Sequence, residues 1–366
     1  MVRFPLFAPV SPGLRIEPGA HPPPRPGPAP RHLSARSDIG LTLALESSCD
    51  ESSVALVEDG RRVIQNLIHS QDGLHAEYGG VVPELAAREH LRKLPGLVSE
   101  VMEHNSLRPR DLERIAVTRG PGLIGCLLVG VGVAQGLGAA WQRPVVGVNH
   151  LWGHVYAALL TRPDLEPPLL ALVVSGAHSD LVLMPAHGSF QILGRTRDDA
   201  AGEAFDKAAR MLGLGYPGGA LVDRLAAGGR AGDQPLPKPS LPGLEFSFSG
   251  LKTALLYRIR DLGGLPALED QTRADLAASF QRSVVESLLD KVQLALSRHP
   301  VPEVVVCGGV AANSLLRRRA AEVVGSRARL TVPTIKLCTD NAAMIGAASA
   351  HSPPPGLVQT DPGLGW

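Results

Sequence analysis

One local pattern opens both halves of this chain, and it narrows the fold more than any other feature. Leu41 to Glu46 reads as a strand, breaks at a polar turn over 47–52, and resumes from Val54 to Val57, with Asp59-Gly60 marking a hairpin to a third strand. The second half repeats it: a strand from Leu169 to Val174, the turn Ser175-Gly176-Ala177-His178-Ser179, and a returning strand from Asp180 to Met184. Each half continues with buried strands (Ile115 to Thr118, Val145 to Val148, Val304 to Cys307) and helices. The helices are expected from Pro83 to about His104, after Gly120-Pro121-Gly122 to about Ala140, over about Asp199 to Leu212, over about Thr272 to Arg298, from Ala311 to about Val323 and over Thr339 to Ala350. The arrangement is a duplicated α/β unit whose ligand sits in the cleft between the halves, gripped by one hairpin turn from each side.

The 366 residues suffice for two domains of ordinary size. Only 4% of them are aromatic, so the core must be aliphatic. A net charge of +1 gives no bulk attraction to nucleic acid, and any such contact has to come from a local patch. The four cysteines, Cys49, Cys126, Cys307 and Cys338, are far apart and make no C-x-x-C pair, which argues against a disulfide framework or zinc knuckle and fits a reducing cytoplasm. The longest apolar stretch, around Leu123 to Ala140, is interrupted by glycines, so no membrane span is expected. Residues 1–38 carry ten prolines and read as a disordered extension outside the fold; their arginines resemble a transit peptide in composition, but the prolines forbid its amphipathic helix. The segment 352–366 reads as a loose tail.

Chemistry concentrates at a few places. His150 and His154 are four residues apart at the start of an expected helix, so both imidazoles share a face and can hold one metal ion. Twelve histidines in 366 residues supply about 0.4 such pairs by chance, so the spacing alone proves little. The turn from Glu46 to Ser52 carries small hydroxyls and two acids, Asp50 and Glu51, which suit a metal, a water or an amine better than a phosphate. Ser175-Gly176 permits close backbone approach to phosphate. Gly308-Gly309 follows a buried strand and opens a helix, where an α/β protein places a nucleotide; Asn313 there either contacts base or ribose or caps its helix. Asp340 either caps the last helix or completes a two-histidine, one-carboxylate site. Arg317-Arg318-Arg319, Arg61-Arg62, Arg88, Arg92 and Lys93 are solvated faces or RNA-phosphate contacts. Cys49 has no base marked for it and reads as a small buried hydrophobe.

Nine strings occur in order along the chain: Glu46-Ser-Ser-Cys-Asp-Glu-Ser52, Tyr78-Gly-Gly-Val-Val-Pro-Glu84, Gly120-Pro-Gly122, Asn149-His-Leu-Trp-Gly-His154, Val174-Ser-Gly-Ala-His178, Asp198-Asp-Ala-Ala-Gly-Glu-Ala-Phe-Asp206, Phe246-Ser-Phe-Ser-Gly-Leu-Lys252, Cys307-Gly-Gly-Val-Ala-Ala-Asn313 and Cys338-Thr-Asp-Asn341. Together they resemble the TsaD family of tRNA N6-adenosine threonylcarbamoyltransferases, once labelled glycoproteases, from about Leu41 to Ala350. The resemblance implies an actin/sugar-kinase/Hsp70-like (ASKHA) α/β fold, with a first lobe over 39–165 and a second, carrying a helical insertion, over 166–351. It implies transfer of threonylcarbamoyl from threonylcarbamoyl-AMP to N6 of adenosine 37 in tRNAs reading codons that begin with A. It implies one divalent ion per subunit, Fe2+ favoured and Zn2+ possible, on His150, His154 and Asp340. Adenylate contacts map to Val173, Val174, Ser175, Gly176, Ala177, Asp206, Gly219 and Asn313. Implied partners are tRNA, a TsaB-like paralogous subunit, a TsaE-like ATPase and a separate enzyme that makes the adenylate.

Three positions depart from the family pattern. Ala177 stands where a second Gly is common, which strains phosphate contact if the position needs positive φ. Trp152 replaces an acid between the histidines, and Ala342 replaces a Gly after Asp340-Asn341. Asp50 or Glu51 is the expected acceptor of the amine proton. Proteolysis is disfavoured, because the residue after His150 is Leu151 and not the glutamate that zinc-protease helices carry there.

Overall fold

The computed structural model describes residues 40–353 and 356–366; the expectation for residues 1–38 lies outside them. The first half runs β1 (Leu41–Glu46), β2 (Glu51–Glu58), β3 (Arg62–Ser70), α1 (Asp72–Ala76), α2 (Pro83–His104), β4 (Arg114–Gly120), α3 (Ile124–Trp141), β5 (Val145–Asn149) and α4 (His150–Thr161). The second runs β6 (Leu169–Val174), β7 (Ser179–Ala186), β8 (Ser189–Arg195), α5 (Ala201–Met211), α6 (Gly218–Ala226), α7 (Ser249–Asp261), α8 (Asp270–Arg298), β9 (Glu303–Cys307), α9 (Ser314–Val324), β10 (Arg329–Thr331), α10 (Ile335–Cys338) and α11 (Ala342–Ser349).

Each half builds a five-stranded sheet with the same topology. The orders are β3-β2-β1-β4-β5 and β10-β9-β6-β7-β8, an antiparallel meander extended by two parallel strands in both cases. The duplication read from the two opening hairpins is therefore a duplication of whole sheets. The inner strands β1, β2 and β6 are buried on nearly every residue, as strands covered on both faces must be, which explains their continuous apolar runs.

The core has three parts. Leu43, Leu45, Leu56 and Ile115 of the first sheet meet Leu94, Val98 and Val101 of α2 and Val131 and Ala134 of α3. Leu170, Leu172 and Val304 of the second sheet meet Phe205 of α5 and Phe280, Val284 and Leu288 of α8. Between the sheets lie α4 and α11, packed on each other and touching strands of both halves. A Cβ on Gly153 of α4 would lie 2.9 Å from Ile345 Cδ1, and one on Gly346 of α11 would lie 2.6 Å from Val57 Cγ2. Glycine at these two positions lets α4 reach α11, and α11 reach β2, at backbone distance.

The helix expected after Gly120-Pro121-Gly122 forms as α3, and its Gly130 and Gly138 bring it against Ser47 and Val145. Among the described residues α3 is the one helix long and apolar enough to cross a membrane; it packs on α2 and β4, and leaves Ile124 and Leu128 exposed. The last helix starts at Ala342, not Thr339, because α10 and a short loop precede it. The end of the chain, expected to be loose, is pinned by hydrogen bonds. Asp361 N donates to Arg119 O (2.7 Å), Asn149 Nδ2 to Gly365 O (2.6 Å) and Trp366 Nε1 to Asp180 Oδ2 (2.6 Å), while Val358 joins the first core. Its Pro/Gly content hides two apolar anchors, Val358 and Trp366.

Because Gly346 has no room for a side chain, Gly346→Val should cost about 1–3 kcal/mol by overpacking the α11–β2 contact. Urea denaturation of the two proteins measures it.

Candidate metal centre and its flanking turns

Asn149 ends β5 and caps α4, its Oδ1 accepting from Leu151 N at 2.8 Å. This cap makes His150 the first residue of the helix. His154 lies one turn on, and the two rings meet edge to face with centroids 4.8 Å apart. Asp340 arrives from the loop between α10 and α11. It does not cap α11: Asn341 does, accepting from Met344 N at 3.1 Å. The Asp340 carboxylate is thus left to face the histidines, with Oδ1 3.5 Å from His150 Nε2 and 3.3 Å from His154 Nε2.

Two imidazoles and one carboxylate whose donor atoms all lie within 4.8 Å of one another form a group that could hold a divalent first-row ion. His154 provides the independent test of fit. Its side chain is fully buried, and its Nε2, though near Asp340, makes no hydrogen bond; neither ring nitrogen has a hydrogen-bond partner among the described residues. A buried imidazole left unsatisfied on both nitrogens is costly unless a ligand completes it.

A fourth side chain, which the sequence reading left without a role, completes the surroundings. Glu46, the last residue of β1, is fully buried and sits 3.0 Å from His150 Nδ1 through Oε2. Burial alone would raise the Glu46 pKa, but His150 holds it below the usual carboxylate range. Burial alone would lower that of His150; Asp340 and Glu46 instead raise it well above the ordinary imidazole value. Burial likewise opposes ionisation of Asp340, yet His150 and His154 hold its carboxyl far below normal. The only signal available in the sequence was an acid ending an apolar strand, immediately before the polar turn.

Asp50, in the turn after β1, and Glu51, the first residue of β2, lie beside this group and gather with Asp72 into a second cluster of carboxylates. Burial, with the nearby charges of Asp340 and Asp50, raises the Glu51 pKa well above normal. Tyr216 donates its hydroxyl to Asp50 Oδ2 at 3.4 Å, tying this turn to the second half of the chain. The Cys49 thiol is pushed far up by burial and by Asp50, which removes it as a nucleophile. His178 is pushed down to about 4 by burial and by the neighbouring His150 and His154.

The remaining sequence-derived residues sit on turns at the ends of β6 and β9 and on the helices behind them. Val173 and Val174 are buried at the end of β6, while Ser175, Gly176 and Ala177 turn outward. Gly308 has φ +90°, and a Cβ there would strike the Val174 carbonyl, so the two turns abut. Asp206 on α5 accepts from Gly218 N at 2.8 Å, beside Gly219 in the first turn of α6. Asn313 caps α9, accepting from Leu316 N at 3.0 Å. Ala177 is not among the residues with positive φ, so the backbone strain expected there does not arise. Trp152 packs on Phe190 with centroids 4.7 Å apart. The basic candidates are mostly engaged: Arg317 contacts Pro333 O and Cys338 Sγ, Arg319 pairs with Glu322, Arg62 with Glu58, Arg88 with Glu84, and Arg92 and Lys93 with Glu89. A cavity of about 440 Å³ among α6, α8 and α9 shares no residue with the histidine site or the turns.

The family model for TsaD, described as tRNA N6-adenosine threonylcarbamoyltransferase, matches residues 62–347. A tRNA N6-adenosine threonylcarbamoyltransferase of Symbiobacterium thermophilum is 49% identical over 314 residues, 85% of this chain and 91% of the relative. One from Bordetella avium is 47% identical over 326 residues, 88% of this chain and 94% of the relative. Among solved structures, full-length HypF in its phosphate- and nucleotide-bound form superposes with a TM-score of 0.59 at 14% identity, covering 88% of this chain and 47% of that one. HypF of T. kodakarensis gives 0.58 at 13% identity, covering 85% and 47%. These structural likenesses bear on the fold alone, which is of the actin/sugar-kinase/Hsp70-like type.

Without metal, His150 titrates at higher pH in the folded than in the unfolded chain. Its contribution to stability is therefore full below the unfolded value of about 6.5 and is lost as pH rises through the folded value. Asp340→Asn removes a charge that holds the proton on the ring, so the alkaline loss should begin at lower pH. Urea midpoints followed between about pH 6 and pH 10 in chelator measure the difference.

Proposed function

The chain belongs to the TsaD family of tRNA N6-adenosine threonylcarbamoyltransferases, and from that premise we propose that it moves the threonylcarbamoyl group from threonylcarbamoyl-AMP to N6 of adenosine 37 in tRNAs reading codons that begin with A, releasing AMP. The observation that carries this reading is the meeting of His150, His154 and Asp340 beside the acidic pair Asp50 and Glu51. The cleft lies between a first lobe over 39–165 and a second over 166–351.

In this reading His150, His154 and Asp340 would hold one divalent ion; Zn2+ accepts the donor set, and Fe2+ is the ion we favour for two histidines and a carboxylate. Once bound, the ion supplies Lewis-acid polarisation of the carbamoyl carbonyl. The β6–β7 turn, with backbone groups from Val173 to Ala177, cradles the phosphate. Gly219 and Asn313 line the nucleoside, and Asp206 accepts from the ribose hydroxyls. The N6 amine of an unstacked adenosine attacks the carbonyl carbon, the bond from that carbon to the AMP oxygen breaks, and AMP departs as a phosphate. The amine proton passes to Glu51 or Asp50. Burial raises the proton affinity of Glu51, so it takes up that proton only where a bound cation keeps it ionised beforehand.

The protein works with tRNA in the cytoplasm, alongside a TsaB-like paralogue and a TsaE-like ATPase. The exposed Ile124 and Leu128 of α3 and Leu91 of α2 support a protein partner on that helical face.

The direct test incubates the protein and partner proteins with unmodified tRNA and threonylcarbamoyl-AMP, then digests the RNA and analyses nucleosides by mass spectrometry. His154→Ala and Asp340→Ala should each lower the rate of modified-nucleoside formation at least about 100-fold. Wild-type rates in both would remove the metal from the mechanism. Glu51→Gln should lower kcat about 10²–10⁴-fold with little change in KM for threonylcarbamoyl-AMP. If it and Asp50→Asn both turn over normally, the proton acceptor lies elsewhere.

A further inference from the structure

Glu46 belongs to none of the ligand or substrate contacts above, yet its carboxylate has three polar partners. It is fully buried at the end of β1. Oε1 accepts from Ser48 N at 2.5 Å, and Oε2 accepts from Thr118 Oγ1 at 2.6 Å. The third partner is His150 Nδ1, 3.0 Å from Oε2, with Ser48 Oγ also 3.1 Å from that nitrogen. Two donors already satisfy the two oxygens, so the carboxylate meets Nδ1 as an acceptor, and Nδ1 must carry the hydrogen. The other ring nitrogen, Nε2, faces Asp340 at 3.5 Å, and with the Nδ1 hydrogen held in place it is the nitrogen whose lone pair is left for an ion. Glu46, Thr118 and His150 come from β1, β4 and α4, so the contact also sets the rotation of the His150 ring against the first sheet.

We infer that Glu46 is a positioning residue for metal binding: it fixes the Nδ1–H tautomer and the orientation of His150, so that Nε2 is presented to the ion. This rests on the reading of His150, His154 and Asp340 as ligands. His154 has no such partner among the described residues, so the pre-organisation is carried on one ligand alone. Carboxylates placed behind ligating histidines typically contribute 10–100-fold to metal affinity.

The substitution that isolates this role is Glu46→Gln. With its amide oxygen accepting from Ser48 N, the NH2 group faces Thr118 and His150. The Thr118 hydroxyl can turn to accept, but His150 can accept only by moving its hydrogen to Nε2, which blocks the ligand position. The measurement is Co2+ affinity by chelator competition, read from the visible absorption of the bound ion, with thermal unfolding of the metal-free proteins as control. Wild type should bind well above His154→Ala. Glu46→Gln should bind about 10–100-fold more weakly than wild type, with an altered Co2+ spectrum. Affinity and spectrum equal to wild type in a folded Glu46→Gln protein would overturn the inference. Wild type binding no better than His154→Ala would instead overturn the ligand reading itself. Should Glu46→Gln fail to fold, Thr118→Val keeps the charge while removing one of its anchors. A several-fold weaker affinity supports the inference there, and an unchanged one refutes it.

Discussion

The contact between α4 and α11 organises this molecule. The two helices lie between the sheets and touch strands of both halves. They approach closely because α4 presents Gly153 to Ile345 and Met344, and α11 presents Gly346 to Val57 and Ala44. His150 and His154 flank Gly153 on the same helix, and Asp340 sits just before α11. The packing that joins the halves therefore also fixes the distance between the two imidazoles and the carboxylate.

The electrostatics of the region make sense only as those of a site with an excess of acid. Glu46, Asp50, Glu51, Asp72 and Asp340 lie near one another, and burial works against the charge of several of them. In the bare protein His150 is driven to carry positive charge, while Glu51 is driven to keep its proton. A bound divalent cation would relieve both: it would take the place of the imidazolium proton beside Asp340 and lower the cost of ionising Glu51. The same residues that would hold the ion thus also tune the proton affinity of the group we propose as proton acceptor.

Legibility in the sequence followed burial and length. Strands buried on both faces, such as β1 and β6, and long helices, such as α2 and α8, were readable because nearly every residue votes for one period. The second sheet's outer strand β8 and the helices α6 and α7 were not singled out: each is short or half exposed, and each borrows its stability from the neighbours it packs on. The end of the chain was misread for a related reason. Proline and glycine suppress regular structure, but Val358 and Trp366 are held by side-chain contacts that composition does not register.

Sequence alone determined that the chain is a duplicated α/β unit of the TsaD family, because ordered strings of turn residues and apolar strands are local properties. It also nominated His150 and His154, whose relation is set by the pitch of one helix. Only the tertiary structure decided that Asp340 faces them instead of capping α11, and that Glu46 stands behind His150. Each of these depends on groups more than about a hundred residues apart or on a choice between neighbouring caps, and local pattern carries no information about which of two distant side chains a folded backbone will bring within hydrogen-bonding range.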